Sequence, residues 1–161
     1  MVENVLITGG SGLLALNWAL TIRSKFNIIL GIHNRKSPLE NVEQKKINLS
    51  LETDLPPNQF EELLNRFESS RVTVNNDTGN SAALGNDQVD ELNAYGSRIT
   101  DIHIKDRKLN GGSVILGQGC ADFDTFFKKL HEFDYQGPFI MQAYRDEEGV
   151  EILKKQLDWI K

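Results

Sequence analysis

Arg71-Val72-Thr73-Val74-Asn75-Asn76-Asp77-Thr78-Gly79-Asn80-Ser81 and, further on, Ile99-Thr100-Asp101-Ile102-His103-Ile104-Lys105-Asp106-Arg107 are the stretches whose reading decides the fold. Each begins as a short apolar run, read as a buried strand, and ends on a side chain able to ligate a metal: Asp77 in one, His103 in the other. Residues 87–95, between them, carry a helical pattern. Strand, helix, strand with polar groups at the strand ends is the signature of a parallel α/β sheet or barrel.

The same alternation extends outward from this segment. Residues 47–51 read as a strand and 58–67 as an amphipathic helix after Pro56-Pro57. A Gly-rich loop is expected over 108–119. A helix follows over 123–133, with apolar residues at 123, 126, 127, 130 and 133. Residues 138–141 read as a strand, and 147–160 as a closing helix with Val150, Leu153 and Leu157 on its apolar face. Toward the N-terminus, strands are expected at 4–7 and 27–32 and a helix at 13–25, while the polar stretch 34–46, with Pro38, reads as a loop. About six strands result, whereas a closed barrel of this kind needs eight strands and about 250 residues. The 161-residue chain therefore predicts a partial, half-barrel arrangement, divided into residues 1–46 and 47–161 but forming one compact unit.

Composition narrows the function. Hydrophobic residues make up 39% and charged residues 25%, the balance of an ordinary globular domain. A net charge of −5 argues against nucleic acid and anionic membranes as partners. Cys120 is the single cysteine, so no intrachain disulfide is possible and a reducing compartment is expected. The apolar run from Val5 to Ile22 is interrupted by glycines, Asn17 and Trp18 and lacks a basic start, which favours a strand and buried helix over a signal peptide or membrane span. A cytoplasmic protein is expected.

Four side chains stand where strands end: Glu52, Asp77, His103 and Gln142, separated by 25, 26 and 39 residues. In a parallel barrel all strand C-termini face one way, so these four converge on one face. Two carboxylates, an imidazole and an amide oxygen suit a divalent ion such as Mn, Co, Mg or Zn. Asn80, Lys105, Arg107 and Arg145 lie beside these ends and suit substrate hydroxyls or phosphate; the alternative for the cations is pairing with Asp101, Asp106 or Asp146. His131 reads as a surface helix residue.

The motifs Leu51-Glu52-Thr53-Asp54-Leu55-Pro56-Pro57, Asn76-Asp77-Thr78-Gly79-Asn80-Ser81, Ile102-His103-Ile104-Lys105-Asp106-Arg107 and Leu116-Gly117-Gln118-Gly119 resemble, in order and spacing, the C-terminal half of the xylose-isomerase-like sugar-phosphate isomerases and epimerases. The resemblance implies metal ligation by Glu52, Asp77 and His103, with a fourth ligand from the last strand. That ligand is usually Glu, and Gln142 stands at its position. The family moves a proton next to a carbonyl through an enediolate, commonly with two carboxylates sharing the work. Glu52 can serve as an acid/base; Gln142 cannot. A one-base isomerisation follows more readily than a two-base epimerisation.

The start of the chain resembles a different family. Thr8-Gly9-Gly10-Ser11-Gly12-Leu13-Leu14-Ala15, between a strand and a helix, is similar to the first turn of the short-chain dehydrogenases and sugar-nucleotide epimerases. That likeness implies a Rossmann-like βαβ segment in which Gly9 and Gly12 approach a dinucleotide phosphate. Arg35 stands where an acidic residue would select NAD, implying NADP instead. The Tyr-x-x-x-Lys pair of that family is absent, and a plain strand–helix turn explains the glycines equally well. Three functions are thus open: a metal-dependent sugar isomerase or epimerase acting on a small sugar or sugar phosphate, an NAD(P)-binding module, and an inactive fusion of two partial folds. An open half-barrel exposes strand edges and, on this reading, an apolar inner face, so a homodimer is expected.

Overall fold

The structure is a computed structural model and describes residues 4–7, 13–32, 43–142, 144–147 and 149–161. Its contacts divide the chain into two units, Met1–Leu49 and Ser50–Lys161.

The first unit contains β1 (Asn4–Ile7), α1 (Leu13–Ile22), β2 (Asn27–Ile32) and β3 (Glu43–Lys46). β1 pairs parallel with β2, and β2 parallel with β3, in the order β1-β2-β3. Ile7, Ala19, Ile28, Leu30 and Ile32 form its core. The strand Glu43-Gln44-Lys45-Lys46 falls where a loop was expected. It has no apolar run to announce it, and its register, Ile29 opposite Glu43 through Ile32 opposite Lys46, is made by backbone hydrogen bonds that need no particular side chains. α1 stops at Ile22, three residues short of expectation, where Arg23, Lys25 and Phe26 turn back onto the carbonyls of Ala19 and Ile22.

The second unit is built on a sheet of order β4-β5-β6-β9, comprising β4 (Leu49–Leu51), β5 (Val72–Asp77), β6 (Ile99–Ile104) and β9 (Phe139–Met141). β5 and β9 both run parallel to β6. The helices are α2 (Pro57–Asn65), α3 (Thr78–Leu84), α4 (Gln88–Tyr95), α5 (Phe123–Glu132) and α6 (Val150–Ile160). β7 (Asp106–Arg107) and β8 (Ser113–Val114) form a small antiparallel ribbon inside the expected loop. α3 occupies residues for which the sequence pattern announces no helix; Asp77 caps it, accepting from Gly79 N and Asn80 N at 2.9 and 2.8 Å.

Alternation sorts the strands into two faces. Val72, Val74, Ile99, Ile102 and Ile104 pack into the core with Phe60, Leu64, Leu92, Phe126 and Leu130 of the helices. The opposite face is polar. Ser50 Oγ donates to Asp101 Oδ1 at 2.7 Å, Thr100 Oγ1 to Thr73 Oγ1 at 2.8 Å, and Asn75, Asp77 and His103 follow toward the strand ends. The expectation of an apolar inner face is therefore corrected, and the hydrophobic argument for a dimer falls with it. A register shift between Val74 and Asn75 puts Val74 opposite Ile99 but Asn75 opposite Asp101, keeping both in their proper faces.

α6 turns a different side inward from the one its pattern suggests. Val150, Leu153 and Leu157 are exposed, while Ile152 and Gln156 are buried. Gln156 Oε1 accepts from Leu116 N at 3.2 Å and its Nε2 donates to the carbonyls of Tyr144 and Ile152, so an amide satisfies backbone that leucine could not. Among the described residues no helix is long and apolar enough to cross a membrane.

Candidate metal centre

Glu52 follows β4, Asp77 ends β5 and His103 lies on β6, directly opposite Asp77 in the parallel register. Each offers one ligand atom, and the three atoms lie within 4.8 Å of one another. Asp77 is the buried member. Its Oδ1 is committed to the first turn of α3, whereas Oδ2 accepts no hydrogen bond and stands 3.7 Å from His103 Nδ1 and 3.6 Å from Lys105 Nζ. A buried carboxylate oxygen without a hydrogen bond is costly unless a cation neutralises it. His103 Nδ1 also approaches Glu52 Oε2 at 3.4 Å. Two carboxylates and an imidazole converging in this way fit a divalent ion of the Mn, Co or Zn kind.

Around the triad sits a ring of hydrogen bonds. Asn80 Nδ2 donates to Glu52 Oε1 at 2.7 Å and Asn75 Nδ2 to Glu52 Oε2 at 2.9 Å, so both oxygens of the half-exposed carboxylate are oriented. Asn80 Oδ1 accepts from Arg107 Nη1 at 2.9 Å and from Lys105 Nζ at 3.5 Å. Lys105 Nζ also donates to Gln142 Oε1 at 2.8 Å. The lysine is directed there by Thr78, whose hydroxyl donates to Lys105 O and accepts from Lys105 N, and by Gly79, where a Cβ would stand 2.7 Å from Lys105 Cγ. Arg107 is braced by two bonds from its guanidinium to Gly111 O.

Of the residues expected from sequence, Glu52, Asp77, His103, Asn80, Lys105, Arg107 and Gln142 are linked through these contacts. Lys105 and Arg107 do not pair with Asp101 or Asp106: Asp101 accepts from Ser50 and Thr100, and Asp106 from the backbone of the following loop. Arg145 is exposed and lies outside this hydrogen-bonded set. Gly9, Gly12 and Arg35 lie outside the described residues. Sequence reasoning missed Asn75, although its position two residues before Asp77 puts it on the same strand face.

Behind the triad, a narrow pocket is lined by Glu52, Asn75 and Asp77 and by Glu91 and Tyr95 of α4. Burial and the neighbouring Glu91 carboxylate push the Tyr95 hydroxyl strongly upward from its usual range. Asn86 Nδ2 donates to Glu91 Oε1 at 3.1 Å, which ties the loop after α3 to α4.

The family described as xylose isomerase-like TIM barrel matches residues 15–161. This chain belongs to that family. The match takes in most of α1, β2 and β3 as well as the second unit, so the comparisons show no separate Rossmann-like segment; the β1-β2-β3 order is compatible with both architectures. Among curated proteins, L-ribulose-5-phosphate 3-epimerase UlaE of Salmonella paratyphi A is 33% identical over 88 residues, which is 53% of this chain and 31% of that protein. Inosose dehydratase of Clostridium beijerinckii is 27% identical over 106 residues, 55% of this chain and 36% of that protein. The matched stretches thus span about a third of these relatives' length. The crystal structure of the IOLI protein with a bound zinc atom superposes with a TM-score of 0.53 at 17% identity, covering 99% of this chain and 63% of that one. The likeness establishes an α/β fold with parallel strands, a partial barrel.

Proposed function

We propose that this chain is a metal-dependent isomerase or epimerase of a sugar or sugar phosphate. The observation that carries this reading is the convergence of Glu52, Asp77 and His103 at the strand ends of a xylose isomerase-like fold. A divalent ion held there supplies Lewis-acid polarisation of a substrate carbonyl and its neighbouring hydroxyl. Glu52 takes the proton from the carbon next to that carbonyl. Asn80 donates to its Oε1 and fixes its orientation, and its half-exposed position leaves it open to substrate. Lys105 and Arg107 bring two positive charges beside Asn80 to receive substrate hydroxyls or a phosphate. Gln142 is not a base, so a return of the proton by Glu52 itself, giving isomerisation, is the simplest outcome.

The reading includes a homodimer. β4 and β9 end the four-stranded sheet, and these sheet edges alone support it. The NADP reading rested on Gly9, Gly12 and Arg35, and it is not carried further.

The test is exchange of the substrate's carbon-bound proton with deuterium from solvent, followed by NMR on a panel of ketoses and ketose phosphates after Mn loading. Exchange that needs metal and is lost in Glu52→Gln supports the assignment. Absence of exchange across the panel, with metal bound, refutes it.

A further inference from the structure

Asn75 contacts the side chains of two members of the triad. Its Nδ2 is 2.9 Å from Glu52 Oε2 and 3.2 Å from each ring nitrogen of His103. An atom about 3 Å from both a carboxylate oxygen and an imidazole nitrogen is spaced from them as the ligands of one ion are. The other end of the same carboxamide is unsatisfied: Asn75 Oδ1 is buried and accepts no hydrogen bond. Half a turn about the Cβ–Cγ bond exchanges the oxygen and nitrogen of an amide without moving any neighbour. With a cation held by the triad, that exchange turns the oxygen toward it, while the nitrogen takes the oxygen's buried place.

The position expected to complete the set is engaged elsewhere. Gln142 Oε1 accepts from Lys105 Nζ at 2.8 Å, and the same ammonium lies 3.6 Å from Asp77 Oδ2. Bringing Gln142 to the ion requires breaking this bond and moving a positive charge, whereas turning Asn75 gives up its hydrogen bond to Glu52 and moves no charge. Asn75 is also placed by the fold itself, since it shares a strand face with Asp77 and follows the register shift at Val74.

We propose that Asn75 Oδ1 is the fourth protein ligand of the ion at Glu52, Asp77 and His103, and that Gln142 serves as the partner of Lys105. This rests on the reading of the triad as a metal site. A neutral carboxamide oxygen is a normal hard ligand for such ions.

Calorimetric titration with Mn²⁺ tests it, using wild type, Asn75→Leu, Asn75→Asp, Gln142→Leu and Asp77→Ala, with folding checked by circular dichroism. The expected result is one ion per chain in wild type and no binding in Asp77→Ala. Affinity should be at least tenfold weaker in Asn75→Leu, at least equal to wild type in Asn75→Asp, and within threefold of wild type in Gln142→Leu. The visible spectrum of the Co²⁺-loaded protein should change in Asn75→Leu and not in Gln142→Leu. Unchanged or tighter binding in Asn75→Leu, weaker binding in a folded Asn75→Asp, or a tenfold loss in Gln142→Leu overturns the assignment of Asn75 alone. Failure of wild type to bind Mn²⁺ overturns the triad reading and this inference together.

Discussion

Replacing Asp106 by alanine is expected to loosen the loop that braces the cationic side of the site while leaving the metal ligands in place. Asp106 is 1% exposed. Its Oδ2 accepts from Gly117 N at 3.0 Å and Gly119 N at 2.7 Å, and its Oδ1 from Ala121 N at 3.1 Å. The fit at Gly119 admits no side chain, since a Cβ there would stand 2.0 Å from Asp106 Oδ1. A hydrogen bond to a charged group contributes about 1.5–3 kcal/mol, and three such bonds to one carboxylate are not additive once water enters the vacated space. A loss of about 3–5 kcal/mol is therefore expected for Asp106→Ala. Asp106→Asn keeps one acceptor but turns an amide N–H₂ toward backbone donors, for a loss of about 2 kcal/mol. Either loss is a large fraction of a typical domain stability of about 5–15 kcal/mol. Trp159 is a built-in reporter. It packs against Phe123 at 5.3 Å between ring centroids and over Gly117, and Trp18→Phe removes the chain's other tryptophan. Urea unfolding followed by Trp159 fluorescence gives the stability change. Mn²⁺ affinity should stay within threefold of wild type, because no contact of Asp106 reaches Glu52, Asp77 or His103. A change below about 1 kcal/mol in Asp106→Ala would refute the assignment of this carboxylate as the anchor of the loop.

Three further outcomes are expected. Mn²⁺ at a hundred times its dissociation constant should stabilise the wild type by about 2.7 kcal/mol, with no effect on Asp77→Ala; equal melting temperatures with Mn²⁺ and with chelator would count against a site at the triad. Gln156→Ala should cost about 2–4 kcal/mol in urea unfolding, because it orphans the buried Leu116 N–H and leaves a cavity under α6; a cost under 1 kcal/mol would show that the amide is dispensable. Burial, reinforced by Asp101, pushes the Tyr135 hydroxyl up to about 12, and burial with Glu91 raises Tyr95 as well, so both stay neutral in the fold where the unfolded chain ionises near pH 10. Their contribution is complete below about pH 10 and is lost as pH rises through the folded values; absorbance at 295 nm, with Tyr135→Phe as control, should place the Tyr135 midpoint about two pH units above that of free tyrosine.

What the sequence determined by itself was the alternation of strands and helices from β4 onward and the placement of Glu52, Asp77 and His103 at one end of the sheet. Both follow from local periodicity, because parallel strands joined by helices must all end on the same side. Tertiary structure decided what depends on partners distant in sequence. β3 exists because Ile29 to Ile32 offer it a backbone edge, not because Glu43-Gln44-Lys45-Lys46 prefers to be a strand. α6 buries Gln156 rather than the Val150, Leu153 and Leu157 stripe, since the Leu116 N–H beneath it needs an acceptor. The polar inner face could be read only once the register shift at Val74 and Asn75 showed which side of each strand the helices cover. The same holds at the site. The identity of a strand-end residue indicates which ligands are available, but which oxygen is left without a partner is a property of the assembled hydrogen-bond network. That network commits Gln142 to Lys105 and leaves Asn75 Oδ1 without one.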